Sequence, residues 1–313
     1  MWRLSTYPHP ATFRAAAVCD HEGMHPHIYR AEHILGQVHT RGAASINALC
    51  KAGTVVDVGH HRYAFAEELG RGLDARVVYA AENGLLIGCL TACEHWGLWT
   101  PPSLTTPDTH YIQSRGSNRN QPRTGKVHRQ LAHGCFGNHL SPARSSQIIS
   151  PPNDAIEHVL RYHDAETGLI VLESALYQRF IYPNHADAMI GIAQKVKRPI
   201  LERYELETQS GSETRVRNFL QSRQVSVQPQ VFIPQLGRVD LLVGTSLIIE
   251  CDSQEFHSQP LNVAEDRRRD QVALRLGYTV VRLSYRDVWF QWEKTQEYIS
   301  NLLKKRVHRR RIP

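Results

Sequence analysis

The sequence has no apolar run near the roughly 20 residues that a membrane-spanning helix requires, so a helical membrane protein is not expected. Its opening residues, Met1 to Pro8, lack an apolar signal core, and a soluble cytoplasmic protein is the expectation. Cysteine is scarce and scattered, with six residues at 19, 50, 89, 93, 135 and 251. That excludes a disulfide framework in a chain this long and predicts reduced thiols. No internal repeat and no long low-complexity tract is present. Acidic residues are outnumbered, 30 against 37 Lys and Arg, for a net charge of +7. Much of the excess lies in Lys304, Lys305, Arg306, Arg309, Arg310 and Arg311. A basic balance favours an anionic partner, with nucleic acid ahead of a membrane surface.

What is present is enough chain for two domains of ordinary size, 41% hydrophobic, with an unusual 18 histidines. Cys19, His21, His25 and His27 suggest a metal cluster, but Gly23 and Pro26 break any regular spacing and a solvated loop is the simpler reading. Residues 1–70 are expected to hold a winged helix-turn-helix. Helical periodicity covers Tyr29 to Val38 and Ala43 to Ala52, Gly53 ends the second helix, and Val55–Val58 and Arg62–Phe65 form a hairpin. Arg41, Asn47, Lys51 and Arg62 are its candidate DNA contacts, with His60 and His61 beside them.

Residues 71–206 are expected to be a mixed α/β and helical middle domain. Gly84 to Trp96 reads as one apolar helix in which Cys89 and Cys93 share a packing stripe. Short strands are expected at Thr109–Ile112 and Lys126–Arg129, separated by a basic loop. Helices are expected over Ala155–His163, Leu169–Phe180 and Asn184–Lys195.

Residues 207–313 carry the chemistry. Ser212 is the expected N-cap of an amphipathic helix to Arg223. Strands follow at Gln228–Ile233, Arg238–Val243 and Leu247–Cys251, then a helix at Asp266–Leu276, a strand at Thr279–Leu283 and a helix at Trp289–Lys305. Asp240 and Glu250 fall on neighbouring antiparallel strands, where cross-strand carboxylates can share one ion. Oxygen ligands without a cysteine cluster suit Mg²⁺ or Mn²⁺, which could activate water against a phosphodiester. His257 is placed to act as a base or bind phosphate, Arg269 and Arg282 to clamp phosphate oxygens, and Glu213 to hold a metal-bound water.

The pieces Ser212-Glu213, Gln230, Arg238-Val239-Asp240, Glu250-Cys251-Asp252, His257, Asp266–Asp270 and Gly277–Arg282 resemble the very-short-patch-repair-type endonuclease domain, a branch of the restriction-endonuclease-like PD-(D/E)XK superfamily. Residues 29 to 200 are similar to AbiEi-type antitoxin-like bacterial proteins, in which a winged helix precedes an α/β segment. The resemblance implies an α/β fold with a mixed central sheet flanked by helices. It implies Asp240 as principal metal ligand, supported by Glu250 and Glu213, with His257 near the phosphate. Asp252 stands where the superfamily pattern has lysine, and Ser253 where related chains favour glycine.

The expected function is a divalent-metal-dependent DNA endonuclease with catalytic residues Glu213, Asp240, Glu250, Asp252 and His257 and metal ligands Asp240 and Glu250. DNA is the expected partner, with no membrane and no small-molecule cofactor, and a homodimer is allowed for. The alternative is a DNA-binding regulator whose nuclease-like domain is silent; RNA is a weaker third substrate.

Overall fold

A computed structural model of the chain describes residues 28–37, 45–67, 74–103, 108–115, 125–137, 139, 148–252 and 260–312. The Cys19–His27 cluster, Arg41, most of the basic loop before Lys126, and His257 lie outside the described residues.

The first unit contains Tyr29–Arg30 (β1), Ala31–Gln37 (α1), Ile46–Lys51 (α2), Val55–Gly59 (β2) and Arg62–Phe65 (β3). The Ser45 hydroxyl caps α2 by accepting the Ala48 amide at 3.3 Å. The strands form an antiparallel sheet in the order β1-β3-β2 over a small core of Ile34, Leu49, Val55 and Tyr63. Tyr29 and Arg30 are drawn out of the expected helix because they pair with Tyr63 and Arg62.

Arg62 corrects the sequence reading. Its side chain is 2% exposed, and Nη1 donates to the carbonyl of Leu85 at 2.6 Å and of Ala80 at 3.4 Å. Those carbonyls lie at and just past the C-terminal end of Ala75–Glu82 (α3), where a cation is favoured. A guanidinium spent inside the protein anchors the first unit to α3 and leaves no face for a phosphate.

Leu86–Ile87 (β4), Cys89–His95 (α4), His110–Gln113 (β5) and Lys126–Arg129 (β6) follow, in a sheet of order β4-β5-β6. The single helix expected over Gly84 to Trp96 is broken at Gly88. A Cβ there would lie 2.2 Å from Ile112 Cγ1, and the Gly88 amide bonds the His110 carbonyl at 2.9 Å. Pro152–Tyr162 (α5), Ala165–Tyr177 (α6), Pro183–Ile192 (α7) and Arg198–Leu201 (α8) pack beside this sheet around one large apolar core. The Asp164 carboxylate starts α6 by accepting the Thr167 amide at 2.9 Å.

The C-terminal part runs Gly211–Gln221 (α9), Val227–Ile233 (β7), Gly237–Val243 (β8), Leu247–Asp252 (β9), Pro260–Arg275 (α10), Thr279–Ser284 (β10), Tyr285–Phe290 (α11) and Trp292–Lys304 (α12). The sheet order is β10-β9-β8-β7, with β10 parallel to β9 and the other pairs antiparallel. Leu247, Ile248 and Ile249 are fully buried, as a central strand covered on both faces requires. One face packs on α9, α11 and α12 through Val216, Phe219, Trp289 and Ile299; the other packs on α10 through Ala273. The architecture is therefore α/β, with a mixed C-terminal sheet flanked by helices.

Several features of this part differ from expectation, among them the start of α10 at Pro260, ahead of the expected Asp266. Ser210, not Ser212, caps α9, and the Ser212 hydroxyl instead receives the Trp289 indole N–H at 2.9 Å. The last long helix is split at Gln291, because Ser284 and Asp287 form a capping box that starts α11 early. The chain after α12 docks through its backbone, while Lys304, Lys305, Arg306, Arg309, Arg310 and Arg311 stay exposed. Val307 and His308 are buried, and the His308 carbonyl accepts the Thr245 amide at 2.9 Å. Gly244, with φ 60°, sits so close beneath it that a Cβ would lie 2.1 Å from that carbonyl oxygen.

Helix α6 belongs to both halves: Leu169 and Val171 face the middle core while Ile170 faces the C-terminal one. At the same seam Glu173 and Arg217 form a fully buried ion pair. The Glu173 carboxylate also accepts the Thr214 hydroxyl at 2.6 Å and the Glu205 amide at 2.8 Å, and Arg217 donates to the Arg203 carbonyl at 2.8 Å. Removing one member leaves a buried charge uncompensated. Glu173→Ala is therefore expected to cost about 3–5 kcal/mol, and replacing both partners by apolar residues of similar volume to cost less. Urea denaturation of the two variants checks this; equal losses would show that the pair does not act as a unit.

Candidate active site

The site begins where a ladder stops. Strands β8 and β9 pair at Val243↔Leu247, Leu242↔Ile248 and Leu241↔Ile249, and the recorded pairing ends there. The next two residues are Asp240 and Glu250. Their carboxylates take up backbone donors at this point: the Asp240 amide donates to Glu250 Oε2 at 3.1 Å, and the Cys251 amide donates to Asp240 Oδ2 at 2.8 Å. Buried amides need partners, and here acidic side chains supply them. The pairing of Asp240 with Glu250 follows the sequence expectation.

Glu213 reaches this pair through an amide. Ser210 Oγ donates to Glu213 Oε1 at 2.9 Å, and the Gln209 amide donates to Oε2 at 3.1 Å, so the first turn of α9 holds the carboxylate. Gln230 Nε2 donates both to Glu213 Oε2 at 2.9 Å and to Asp240 Oδ1 at 3.2 Å. Gln230 falls opposite Asp240, between the pairs Pro229↔Leu241 and Val231↔Val239, and has a left-handed φ of 52°. The sequence reading had Gln230 only as a piece of the family resemblance and assigned it no chemistry. The register of the β7–β8 hairpin, counted back from the turn, is the signal that places it.

Burial, then the charge of Asp240, push the Glu213 carboxyl up to about 7. The same two causes push Glu250 up to about 7, against the opposing pull of the Asp240 amide, Arg269 and Arg282. Carboxylates crowded in this way concentrate negative charge at one spot. Each oxygen of Asp240 and Glu250 carries one protein donor and keeps a further lone pair. The donor set is oxygen alone, which fits a hard divalent cation such as Mg²⁺ or Mn²⁺.

The remaining expected residues divide. Asp252 lies two residues beyond Glu250 on β9, hence on the same face, in register with Ser284 of β10. Arg269 comes from α10 and donates to Glu250 Oε1 at 3.0 Å and to the Arg238 carbonyl at 2.7 Å. Arg282, beside Glu250 in the β9–β10 register, pairs with Asp270 at 2.9 Å and lines a surface cavity with Leu274, Tyr278 and Val280. Asn47 and Lys51 are exposed on α2, far along the chain from the carboxylates, whereas Arg62 is the buried anchor already described.

Residues 213–303 match the family model REase_MTES_1575, which spans α9 through most of α12 and all the carboxylates above. The C-terminal part is thus a restriction-endonuclease-like domain. Among solved structures, the catalytic domain of homing endonuclease I-Bth0305I is similar at 20% identity, covering 32% of this chain and 97% of that one. The TM-score of 0.28 is too low to compare the two folds element by element. No curated protein matches the chain in sequence. Among the described residues, no helix is long and apolar enough to cross a membrane.

The raised carboxyls give a signed pH dependence. A Glu whose folded pKa lies near 7 instead of 4.5 contributes fully below pH about 4.5, and that contribution is lost as pH rises through about 7. In chelator-treated protein, Glu213→Gln mimics the neutral acid and is expected to flatten the fall in melting temperature between pH 5 and 8. Thermal melts at both pH values check this; an unaltered pH slope would show that the carboxyl titrates as an ordinary Glu.

Proposed function

We propose that the C-terminal domain is a divalent-metal-dependent endonuclease acting on DNA phosphodiesters, of the very-short-patch-repair type, with Asp240 as principal ligand. The observation that carries this reading is the placement of Asp240 and Glu250 in the gap where β8 and β9 stop pairing, inside the segment that matches the restriction-endonuclease-like family. Mg²⁺ or Mn²⁺ held by Asp240 and Glu250 would supply a lowered pKa for bound water and a counter-charge for the phosphoryl oxygens. The protein's own groups do the rest. Gln230 fixes the inner oxygen of Asp240, so that the carboxylate keeps one orientation. Glu213, pushed up to about 7, can hold or release a proton at neutral pH beside the attacking water. In this reading the resemblance adds Asp252 to the same site and gives His257, outside the described residues, a role at the scissile phosphate.

The lysine of the superfamily pattern is replaced by Asp252, and a cation arrives from another element. Arg269 on α10 places its guanidinium against Glu250, where it can swing to a phosphate oxygen as substrate enters. Arg282 is the second phosphate clamp in this reading. The N-terminal unit, which among the described residues shows the helices α1 and α2 and a three-stranded antiparallel sheet, is read as an AbiEi-type winged helix that brings DNA to the domain, using Asn47 and Lys51. The pairing of Arg269 with Glu250 also favours a second reading, in which the ion pair closes the site and the domain binds DNA without cutting it.

Two measurements decide these points. Asp240→Asn is expected to reduce plasmid cleavage in Mg²⁺ or Mn²⁺ to background while leaving low-salt DNA binding intact. Equal trace cleavage by wild type and variant would remove the nuclease reading, and binding without cleavage would establish the silent one. For the N-terminal unit, Lys51→Ala is expected to lower the salt slope of DNA binding by about 1, because one phosphate contact is lost. Arg62→Ala is expected to leave that slope unchanged and to lower stability; gel shifts across a salt series read both.

A further inference from the structure

The middle α/β unit contains a second cluster of chemistry-bearing side chains, remote from the carboxylates in sequence and built on different elements. Cys89, His110, His128 and His163 each offer one ligand atom, and these four atoms all lie within 4.8 Å of one another. It is the only such group of three or more His, Cys, Asp or Glu side chains among the described residues. We propose that these four side chains form a zinc site that ties α4, β5, β6 and the end of α5 together.

The placement of each ligand has a local cause. Cys89 follows the break at Gly88 and adopts φ 52°, in the left-handed region that a side chain rarely occupies. Such strain at a buried residue calls for a compensating interaction. His110 opens β5, with its amide fixed by the Thr91 hydroxyl at 2.9 Å. His128 lies on the parallel neighbour β6, one step diagonally from His110 in the register. His163 terminates α5, where its amide bonds the Val159 carbonyl at 3.0 Å. Three secondary-structure junctions and one position within β6 therefore deliver one ligand each to a common point.

The polar atoms there are poorly matched to one another. His110 Nδ1 and His128 Nε2 are 2.8 Å apart and can share a single proton. His163 Nε2 is buried with no hydrogen-bond partner. The His110 and His163 rings lie 5.0 Å apart, and the His110 and His128 rings stack at 5.1 Å. A neutral His110–His128 pair can satisfy one nitrogen on each ring, but the buried His163 Nε2 beside it is left without a partner, and a cation bound by all three rings would supply one. An ordinary core would place an apolar residue or a carboxylate among them.

Three imidazole nitrogens and one sulfur make a borderline-soft set that suits Zn²⁺ and does not suit the Mg²⁺ of the carboxylate site. Zn–N and Zn–S bonds of about 2.1 and 2.3 Å in a tetrahedron separate neighbouring nitrogens by roughly 3.3 Å. The His110–His128 pair, at 2.8 Å, then opens by roughly half an ångström, and any ligand pair as wide as 4.8 Å closes by roughly 1 Å. With all four positions supplied by the protein, the site is closed and structural, with no position left for a substrate water. Cys89 so acquires a role beyond the packing stripe that it shares with Cys93.

The full-length chain, purified without chelator, is expected to carry one zinc per chain by elemental analysis. Replacement with Co²⁺ is expected to give a thiolate-to-cobalt charge-transfer band and the intense visible bands of a tetrahedral site. Cys89→Ser is expected to abolish that charge-transfer band, and both it and His128→Ala to lower zinc affinity roughly tenfold or more. Asp240→Asn and Cys19→Ser are expected to retain full zinc and the full band, which separates this site from the carboxylates and from the N-terminal His cluster. The proposal is overturned if wild type neither carries nor tightly takes up zinc. It is equally overturned if Cys89→Ser keeps the thiolate band or the band is lost with Cys19→Ser. The wild-type metal content and Co²⁺ spectrum stand even where a variant fails to fold.

Discussion

The carboxylate of Asp240 occupies the gap between two strands that have just stopped pairing, and much of the C-terminal domain is arranged to keep it there. A half-buried acid needs donors. Asp240 draws one from the Cys251 amide on β9 and another from Gln230 on β7. Gln230 in turn is held by Glu213 at the head of α9. Three strands and a helix are thereby indexed to one side chain. The left-handed backbone at Gln230 is the local distortion that accompanies this arrangement.

The scaffold behind that site extends into the middle of the chain. Helix α6 contributes to two cores on opposite sides, and the Glu173–Arg217 pair sits where they meet. Glu166 adds to the seam by accepting the Asn218 amide at 3.0 Å and pairing with Arg215 at 3.2 Å. Arg215 also stacks between Trp289 and Trp292, 4.8 and 4.7 Å from their centroids. The helix that carries Glu213 is therefore bedded on one side in the C-terminal core and on the other against α6 of the middle region. Desolvated charges of this kind are a poor source of net stability but tolerate little displacement.

The sequence carried the C-terminal strands and the pairing of Asp240 with Glu250, because alternation and a short glycine-containing turn determine register. It carried the helices of the middle region, where caps and apolar periodicity agree. It did not carry Arg62, since a basic residue on a hairpin looks the same whether it faces solvent or a helix end 18 to 23 residues away. Nor did it carry Gln230 as a site member: its part depends on a cross-strand neighbour and a side-chain bridge. The break at Gly88 was hidden because the flanking residues are apolar throughout and the obstacle, Ile112, comes from another strand. The three histidines at 110, 128 and 163 looked unrelated because only the fold brings two neighbouring strands and a helix end together.

The docked segment after α12 lays the carbonyls of Val307, His308 and Arg310 against Ser246 and Thr245, at the turn joining β8 to β9. That turn sits at the far end of the two strands whose other end holds Asp240 and Glu250. The docked segment therefore braces, from its opposite end, the same hairpin that presents both acids.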